Sequence, residues 1–360
     1  MAGKRKAAGI AHPPPPPSLR GISGGVATIR ARMAATFQKS SVPDPLDMGR
    51  VEVLSSGSLC LDYALGVRGY PRGRICSIAG PQHAGKTALA LMAIGTVQRH
   101  IEETERRRAR IVIVDTEHAH SNSLAQVAGC DTSPDTMLVL RPLVAEEALM
   151  MVMYALGFET KDKGRTWYLV SDPADVVLFD SWAGTPTEGV GLAELPRIGA
   201  QWLPVIAAYT NRANALMFIL NHIREDPSVT FGNPEYEPGG NAFQHSRSIG
   251  LLVHSSEKQK DDAKIVIGHD MRVDVRKNKL APAFKRAFLR LNYITGFDYE
   301  LDAVRFFEIL GRPLKESPSG NIYTYRDIRG NGETQFVEAL RDKPDTFLEL
   351  LAEARSLLHV

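Results

Sequence analysis

Gly80 and Gly85 frame four residues, Pro81, Gln82, His83 and Ala84, and are followed directly by Lys86 and Thr87. That order, Gly-x-x-x-x-Gly-Lys-Thr, has the composition of a phosphate cradle. Glycine lets the backbone curl until successive N–H groups converge on one point, and a helix starting there adds the positive end of its dipole. The lysine brings a compact cation to the terminal phosphates, and the threonine hydroxyl supplies a hard oxygen for magnesium. The flanks have the form this chemistry requires. Residues 75–79 are an apolar run that reads as a buried strand, and residues 87–100 (TALALMAIGTVQRH) repeat apolar positions at helical spacing. Residues 80–87 are therefore the expected binding segment for a nucleoside triphosphate and its magnesium ion.

Such a site needs a second acid near the metal and a group that aims the attacking water. Asp180 ends the apolar run DVVLFD, so it joins Thr87 as an expected magnesium ligand. Glu117 lies just past IVIVDTE, with Asp115 two residues earlier on the same face of an extended chain; one of the two is the expected base. These residues need a scaffold. Apolar strands at residues 110–115, 137–141, 175–180 and 216–221 alternate with helical patterns such as 145–156 and 195–212. This alternation predicts an α/β fold with a mainly parallel sheet, and right-handed crossovers would gather Lys86, Glu117, Asp180 and His222 along one edge. Residues 249–293 read instead as four consecutive strands, IGLLVHS, AKIVIGH, RVDVRK and FLRLNY, an antiparallel extension of that sheet. From about residue 296, a helix (301–310), a strand (321–325) and two further helices form a small α/β unit, with Asp342-Lys343-Pro344 opening the last helix.

With 44% hydrophobic residues, the 360-residue chain can bury a substantial core. A net charge of +2 does not mark the whole chain as a nucleic-acid binder. Its positive charge is concentrated, however: seven Lys or Arg residues and no acid precede Asp44. Residues 1–24 include the run Pro13 to Pro17 and cannot bury a core, so a disordered basic arm is expected. Residues 26–38 have helical spacing and precede the breaker-rich stretch 40–47, which predicts a separate amphipathic helix that covers a neighbouring copy. Cys60, Cys76 and Cys130 are odd in number and widely spaced, which predicts reduced core thiols in a cytosol-like compartment. There is neither an apolar run of membrane-spanning length nor a secretory h-region, so a cytoplasmic protein without a membrane partner is expected.

In this order, the segments SSGSLCLDYALGVRGYPRGRICSIAGPQHAGKT, IVIVDTEHA, VVLFDS, FGNPEYEPGGNAF and VRKNKLAPAFK resemble the bacterial RecA recombinase family, from about residue 26 to the C-terminus. FGNPE…GGNA and RKNK…FK are the most specific parts, because ordinary P-loop enzymes lack them. The resemblance implies a RecA-like P-loop ATPase core at 48–295, preceded by the arm (1–24) and an oligomerisation helix and linker (25–47), and followed by a small α/β domain (296–360). It implies an ATP-dependent DNA strand-exchange protein. Such proteins form helical homo-oligomeric filaments on single-stranded DNA, pair it with homologous double-stranded DNA, and hold ATP and Mg2+ between neighbouring subunits. On this resemblance Glu117 is the catalytic glutamate, and Lys277 and Lys279 fall where the family reaches across to the neighbour's γ-phosphate. Residues 184–199 and 224–241 resemble its two DNA loops. Arg197 and Arg224 are the expected phosphate contacts, Gly239, Gly240 and Asn241 offer backbone N–H groups, and Phe231 or Tyr236 an aromatic face for a base.

The departures are specific. His222 stands where the family carries a glutamine that senses the γ-phosphate, and an imidazole brings a single hydrogen bond and a charge that changes near neutral pH. His245 replaces a subunit-contacting aromatic, the first DNA loop is short, and the strongly acidic tail of many members is missing. These features point to a divergent member such as a phage-encoded recombinase. The same core also serves ring-forming helicase-type ATPases, small-molecule phosphotransferases and regulatory DNA- and ATP-binding filaments that hydrolyse weakly. Open filaments rather than closed rings distinguish the recombinase from the first of these.

Overall fold

The apolar runs read from the sequence form the centre of one large sheet. In the computed structural model, described for residues 51–160, 167–189, 194–225, 235–317 and 319–358 together with Thr28, Ala31, Met33 and Ala35, nine strands make up this sheet. They are β1 (Arg74–Gly80), β2 (Ile111–Asp115), β3 (Met137–Leu140), β4 (Val176–Asp180), β5 (Leu216–His222), β6 (Ile249–Lys260), β7 (Val266–Asn278), β8 (Arg286–Asn292) and β9 (Gly296–Phe297). Their spatial order is β9-β8-β7-β6-β1-β5-β4-β2-β3. From β6 to β3 every pairing is parallel, and from β6 to β9 every pairing is antiparallel.

Side-chain alternation along the strands builds two cores, one on each face. On β1, Cys76 and Ile78 join the apolar residues of α2 (Lys86–Glu105), whereas Ile75 faces the cluster formed by α4 (Ala145–Ala155) and α5 (Glu194–Ala213). Burial on both faces is why these strands are nearly continuous apolar runs rather than alternating ones. α1 (Leu59–Leu65), capped by the Ser58 side chain, precedes β1, and α3 (Asn122–Val127), capped by Ser121, follows β2. The three cysteines are free and buried.

The antiparallel part corrects one expectation. AKIVIGH and RVDVRK are not two strands but the single strand β7: Asp270, a turn-favouring residue between them, is held in the sheet by Gln259 of β6 and Arg290 of β8, and Asp270 and Met271 continue the ladder, pairing with Arg290 and Leu289 of β8. The chain then continues into α7 (Tyr299–Ile309), a two-stranded hairpin (Ile322–Tyr325 with Ile328–Asn331), α8 (Glu333–Arg341) and α9 (Pro344–Leu358). Asp342, expected to help open α9, caps the end of α8, and Pro344 takes the first position of α9. The α7 carboxylate of Asp302 accepts hydrogen bonds from the Ser58 hydroxyl and the Leu59 N–H, both at 2.6 Å, tying this region to the start of α1.

Residues Met1–Arg50 and Val51–Val360 form two separate units. In the first, Thr28, Ala31, Met33 and Ala35 are helical, within the helix read at 26–38, while the arm at 1–24 lies outside the described residues. None of the described helices is long and apolar enough to cross a membrane.

Candidate nucleotide-binding site

Strand register assembles the site. Gly80 at the end of β1 pairs with His222 at the end of β5, and Asp115 at the end of β2 pairs with Asp180 at the end of β4. The phosphate loop leaves β1 at Gly80, and α2 begins at Lys86 with Gly85 as its N-cap in the left-handed region, φ 92°. A side chain at Gly85 would be strained by that φ, and its Cβ would lie 2.9 Å from the Met271 thioether. Lys86 is buried, and its Nζ donates to the carbonyls of Gly80 (3.2 Å) and Pro81 (2.9 Å). Burial holds the lysine below its usual basicity, against the opposing pull of Asp180 and Glu117.

Around this cation the expected residues converge. The Thr87 hydroxyl donates to Asp180 Oδ2 at 3.0 Å. Burial, followed by the charge of Glu117, pushes the Asp180 carboxyl up to about 6. A half-buried carboxylate beside a threonine hydroxyl and a second acid suits a divalent cation, whose charge would favour the ionised form, and the donor set is hard oxygen as magnesium requires. Glu117 accepts hydrogen bonds from the Ser181 hydroxyl and from His222 Nε2, the latter at 2.8 Å. Burial raises its carboxyl, but these donors and the charge of Lys86 outweigh that and hold it below the usual value. His222 Nδ1 is 3.4 Å from Lys86 Nζ. An ammonium can only donate, so Nδ1 accepts and Nε2 carries the proton given to Glu117. His222 thus links the loop lysine to the glutamate.

Of the two acids left open in the sequence, the structure brings Glu117 into this group. Asp115 is buried and committed elsewhere: its oxygens accept the N–H groups of Ala119 (3.1 Å) and His120 (3.0 Å), so it shapes the turn that carries Glu117.

The remaining residues occupy other places. Lys277 and Lys279 at the end of β7 rest on carbonyls of α6 (Gly240–Ser246): Lys277 Nζ donates to Gln244 O, and Lys279 Nζ to His245 O at 2.6 Å. Neither has a described contact with Lys86 or Glu117 of its own chain. Arg197, on the first turn of α5, forms an exposed ion pair with Glu194 at 2.7 Å. Arg224 opens a two-residue strand that pairs with Tyr236, so the second loop leaves and returns as a hairpin. Phe231 lies outside the described residues. Gly239 and Gly240 precede Asn241 at the start of α6, with φ of 123° and 67°.

Several participants carried no recognised signal in the sequence. Thr116, between the two acids, accepts the Ser181 N–H at 3.0 Å, and its hydroxyl lies 3.1 Å from Asp180 O, joining the ends of β2 and β4. Thr185 donates to Ser181 O at 2.6 Å. The adjacency of Ser181 to a strand-end aspartate was the one visible hint. Trp182 is fully buried against Phe179, Phe243, Gly199 and Gly239, beneath the starts of α5 and α6. Arg247 donates to Glu237, Gln244 and Ser77, tying the return of the second loop to β1.

Residues 31–298 match the family described as the RecA N-terminal domain. A protein named Protein RecA from Thermus thermophilus is 35% identical over 315 residues, covering 84% of this chain and 85% of the relative. Another from Symbiobacterium thermophilum is 34% identical over 344 residues, covering 92% and 91%. The crystal structure of the RadB recombinase superposes with a TM-score of 0.50 at 18% identity, over 68% of this chain and 98% of that one, a likeness of fold. A sheet edge that gathers the phosphate loop, the strand-end aspartate and the glutamate, together with a family match over most of the sequence, leads to one conclusion: the chain belongs to the RecA family.

Proposed function

We propose that this chain is an ATP-dependent DNA recombinase, which assembles as a helical filament on single-stranded DNA and exchanges strands with a homologous duplex. The observation that carries the reading is the convergence of Lys86, Thr87, Asp180, Glu117 and His222 at one edge of the sheet. Residues 80–87 hold the phosphates of ATP, and Thr87 and Asp180 hold magnesium, which neutralises phosphate charge when bound. Lys86 exchanges its carbonyl partners at Gly80 and Pro81 for phosphate oxygens. Glu117, kept ionised by its hydrogen bonds, accepts the proton of the attacking water and orients it. His222 touches both the lysine and the glutamate, so a phosphate that draws Lys86 away also changes the partner of His222, which leads through Ile223 into the second loop.

Contact with DNA is assigned to the two loops, through Arg197, Arg224, Phe231, Gly239, Gly240 and Asn241, and hydrolysis is assigned as DNA-dependent. Lys277 and Lys279 act on the ATP of a neighbouring copy; that their amines rest on the Gln244 and His245 carbonyls, with no described contact to Lys86 or Glu117 of their own chain, supports that division. Residues 1–24 serve as a basic arm, 25–47 as the oligomerisation segment and 296–360 as a small C-terminal domain on the ATPase core, in a cytoplasmic setting. Strand exchange between single-stranded and homologous duplex DNA, run with ATP and with a slowly hydrolysed analogue, tests the reading. Joint molecules with either nucleotide support it; DNA-stimulated phosphate release with closed rings and no joint molecules would replace it with a helicase-type motor.

A further inference from the structure

We propose that His269 is a positioning residue of the phosphate loop, one that fixes the direction of the Gly85 N–H by holding the carbonyl of Ala84. The inference rests on the nucleotide-site reading above. His269 lies on the antiparallel strand β7, outside the parallel block that supplies the other site residues, and is only 3% exposed. Its Nε2 is 3.5 Å from Ala84 O and its Nδ1 2.9 Å from the Tyr293 hydroxyl, with the two rings tilted at a centroid distance of 5.6 Å.

A carbonyl only accepts, so Nε2 carries the proton and Nδ1 accepts from the Tyr293 O–H. Burial keeps the imidazole below its usual basicity, outweighing the Ala84 hydrogen bond and the Asp270 charge, so the ring is neutral with one donor and one acceptor. The Ala84 C=O and the Gly85 N–H belong to one planar trans peptide and point in opposite directions. Holding the carbonyl toward β7 therefore turns the Gly85 N–H away from β7, as a phosphate donor must be turned. The loop is already pressed onto this strand: a Cβ at Gly85 would lie 3.3 Å from His269 Nε2. Tyr293 fixes which imidazole nitrogen carries the proton, and His269 fixes the peptide.

The test uses the full chain with magnesium and a slowly hydrolysed ATP analogue, measured by calorimetric titration, together with KM and kcat for ATP on single-stranded DNA. His269→Leu keeps bulk but removes the donor, and is expected to weaken analogue binding and raise KM by about tenfold, the scale of one lost oriented hydrogen bond, with a smaller change in kcat. His269→Gln places an amide N–H within reach of the same carbonyl and should return affinity to within about threefold of wild type. Tyr293→Phe keeps the ring, frees the tautomer and should fall between the two. Unchanged affinity in His269→Leu overturns the inference, and so does equal weakening in the Leu and Gln variants, the pattern of lost packing alone. Lys86→Ala separates this from the reading beneath it. If that variant still binds the analogue normally, the nucleotide site itself is wrong; if it does not, a wild-type His269→Leu result counts against His269 only.

Discussion

Lys86 and Glu117 make opposite demands on the same few ångströms, a cation that must be free to leave its carbonyls and an acid that must stay ionised. Lys86→Ala is expected to abolish ATP turnover while the protein remains folded, because its Nζ contacts are local to the loop and His222. Phosphate release at near wild-type rate would remove the P-loop assignment. Glu117→Gln keeps the shape and its hydrogen bond from Ser181 but loses the base, so hydrolysis should slow by at least about a hundredfold with analogue binding retained. Asp62 offers a test of stability rather than turnover. It is fully buried, accepts from Ser55 Oγ at 2.5 Å and from the Ser56 N–H at 2.8 Å, and burial raises its carboxyl from 3.8 to about 7. The folded state thus keeps a proton that the unfolded chain releases, so stability falls as pH rises between those two values, by up to about 1.4 kcal/mol per unit, and levels off above them. Asp302, also raised by burial, acts in the same direction. Asp62→Asn should reduce this slope in chemical denaturation at pH 5, 6 and 7. A slope equal to that of wild type would show that Asp62 is ionised in the fold.

Among the elements, α6 starts on a glycine, as α2 and α8 do, and its glycine is packed against a buried tryptophan. Gly239 has φ 123°, and a Cβ there would lie 2.8 Å from Phe243 Cβ and 3.0 Å from the Trp182 indole nitrogen. Because Trp182 follows Ser181, the donor to Glu117, any shift that relieves this crowding moves the segment between the nucleotide site and the second loop. Gly239→Ala is therefore expected to lower DNA-stimulated phosphate release by at least about tenfold while analogue binding stays within a few fold of wild type. Retained stimulation would mean that α6 can shift without disturbing the site.

At the scale of the assembly, the proposed trans action of Lys277 and Lys279 makes a prediction that no single chain can mimic. Lys277→Ala protein lacks the reaching side chain but has an intact site, whereas Lys86→Ala protein has the reverse. Mixing the two should restore part of the ATPase activity at interfaces where the intact halves meet, to about a quarter of wild type at most for random pairing in equal amounts. Absence of rescue in mixtures shown to co-assemble would falsify the cross-interface role.

The sequence by itself determined the phosphate loop, the strand-end position of Asp180 and the parallel core, because each is local: a spacing of glycines, or an apolar run buried on both faces. Boundaries held to within a residue or two where an apolar run was buried on both faces, as at β2, expected at 110–115 and found at Ile111–Asp115. Spacing left Glu117 and Asp115 open, since the two stand two residues apart with the same chemistry, and the family resemblance named Glu117; the fold adds that Asp115 is bound to backbone N–H groups and Glu117 to His222 and Ser181. It also merged two expected strands into β7, because the need to complete a ladder outweighed the polar pair at Asp270 and Arg272. Its furthest-reaching decisions were contacts across long sequence separations: His269 with Ala84, Thr116 with Ser181, and Trp182 beneath Gly239. No local pattern encodes such contacts, because they exist only once the parallel strands stand in register and α6 has packed against them.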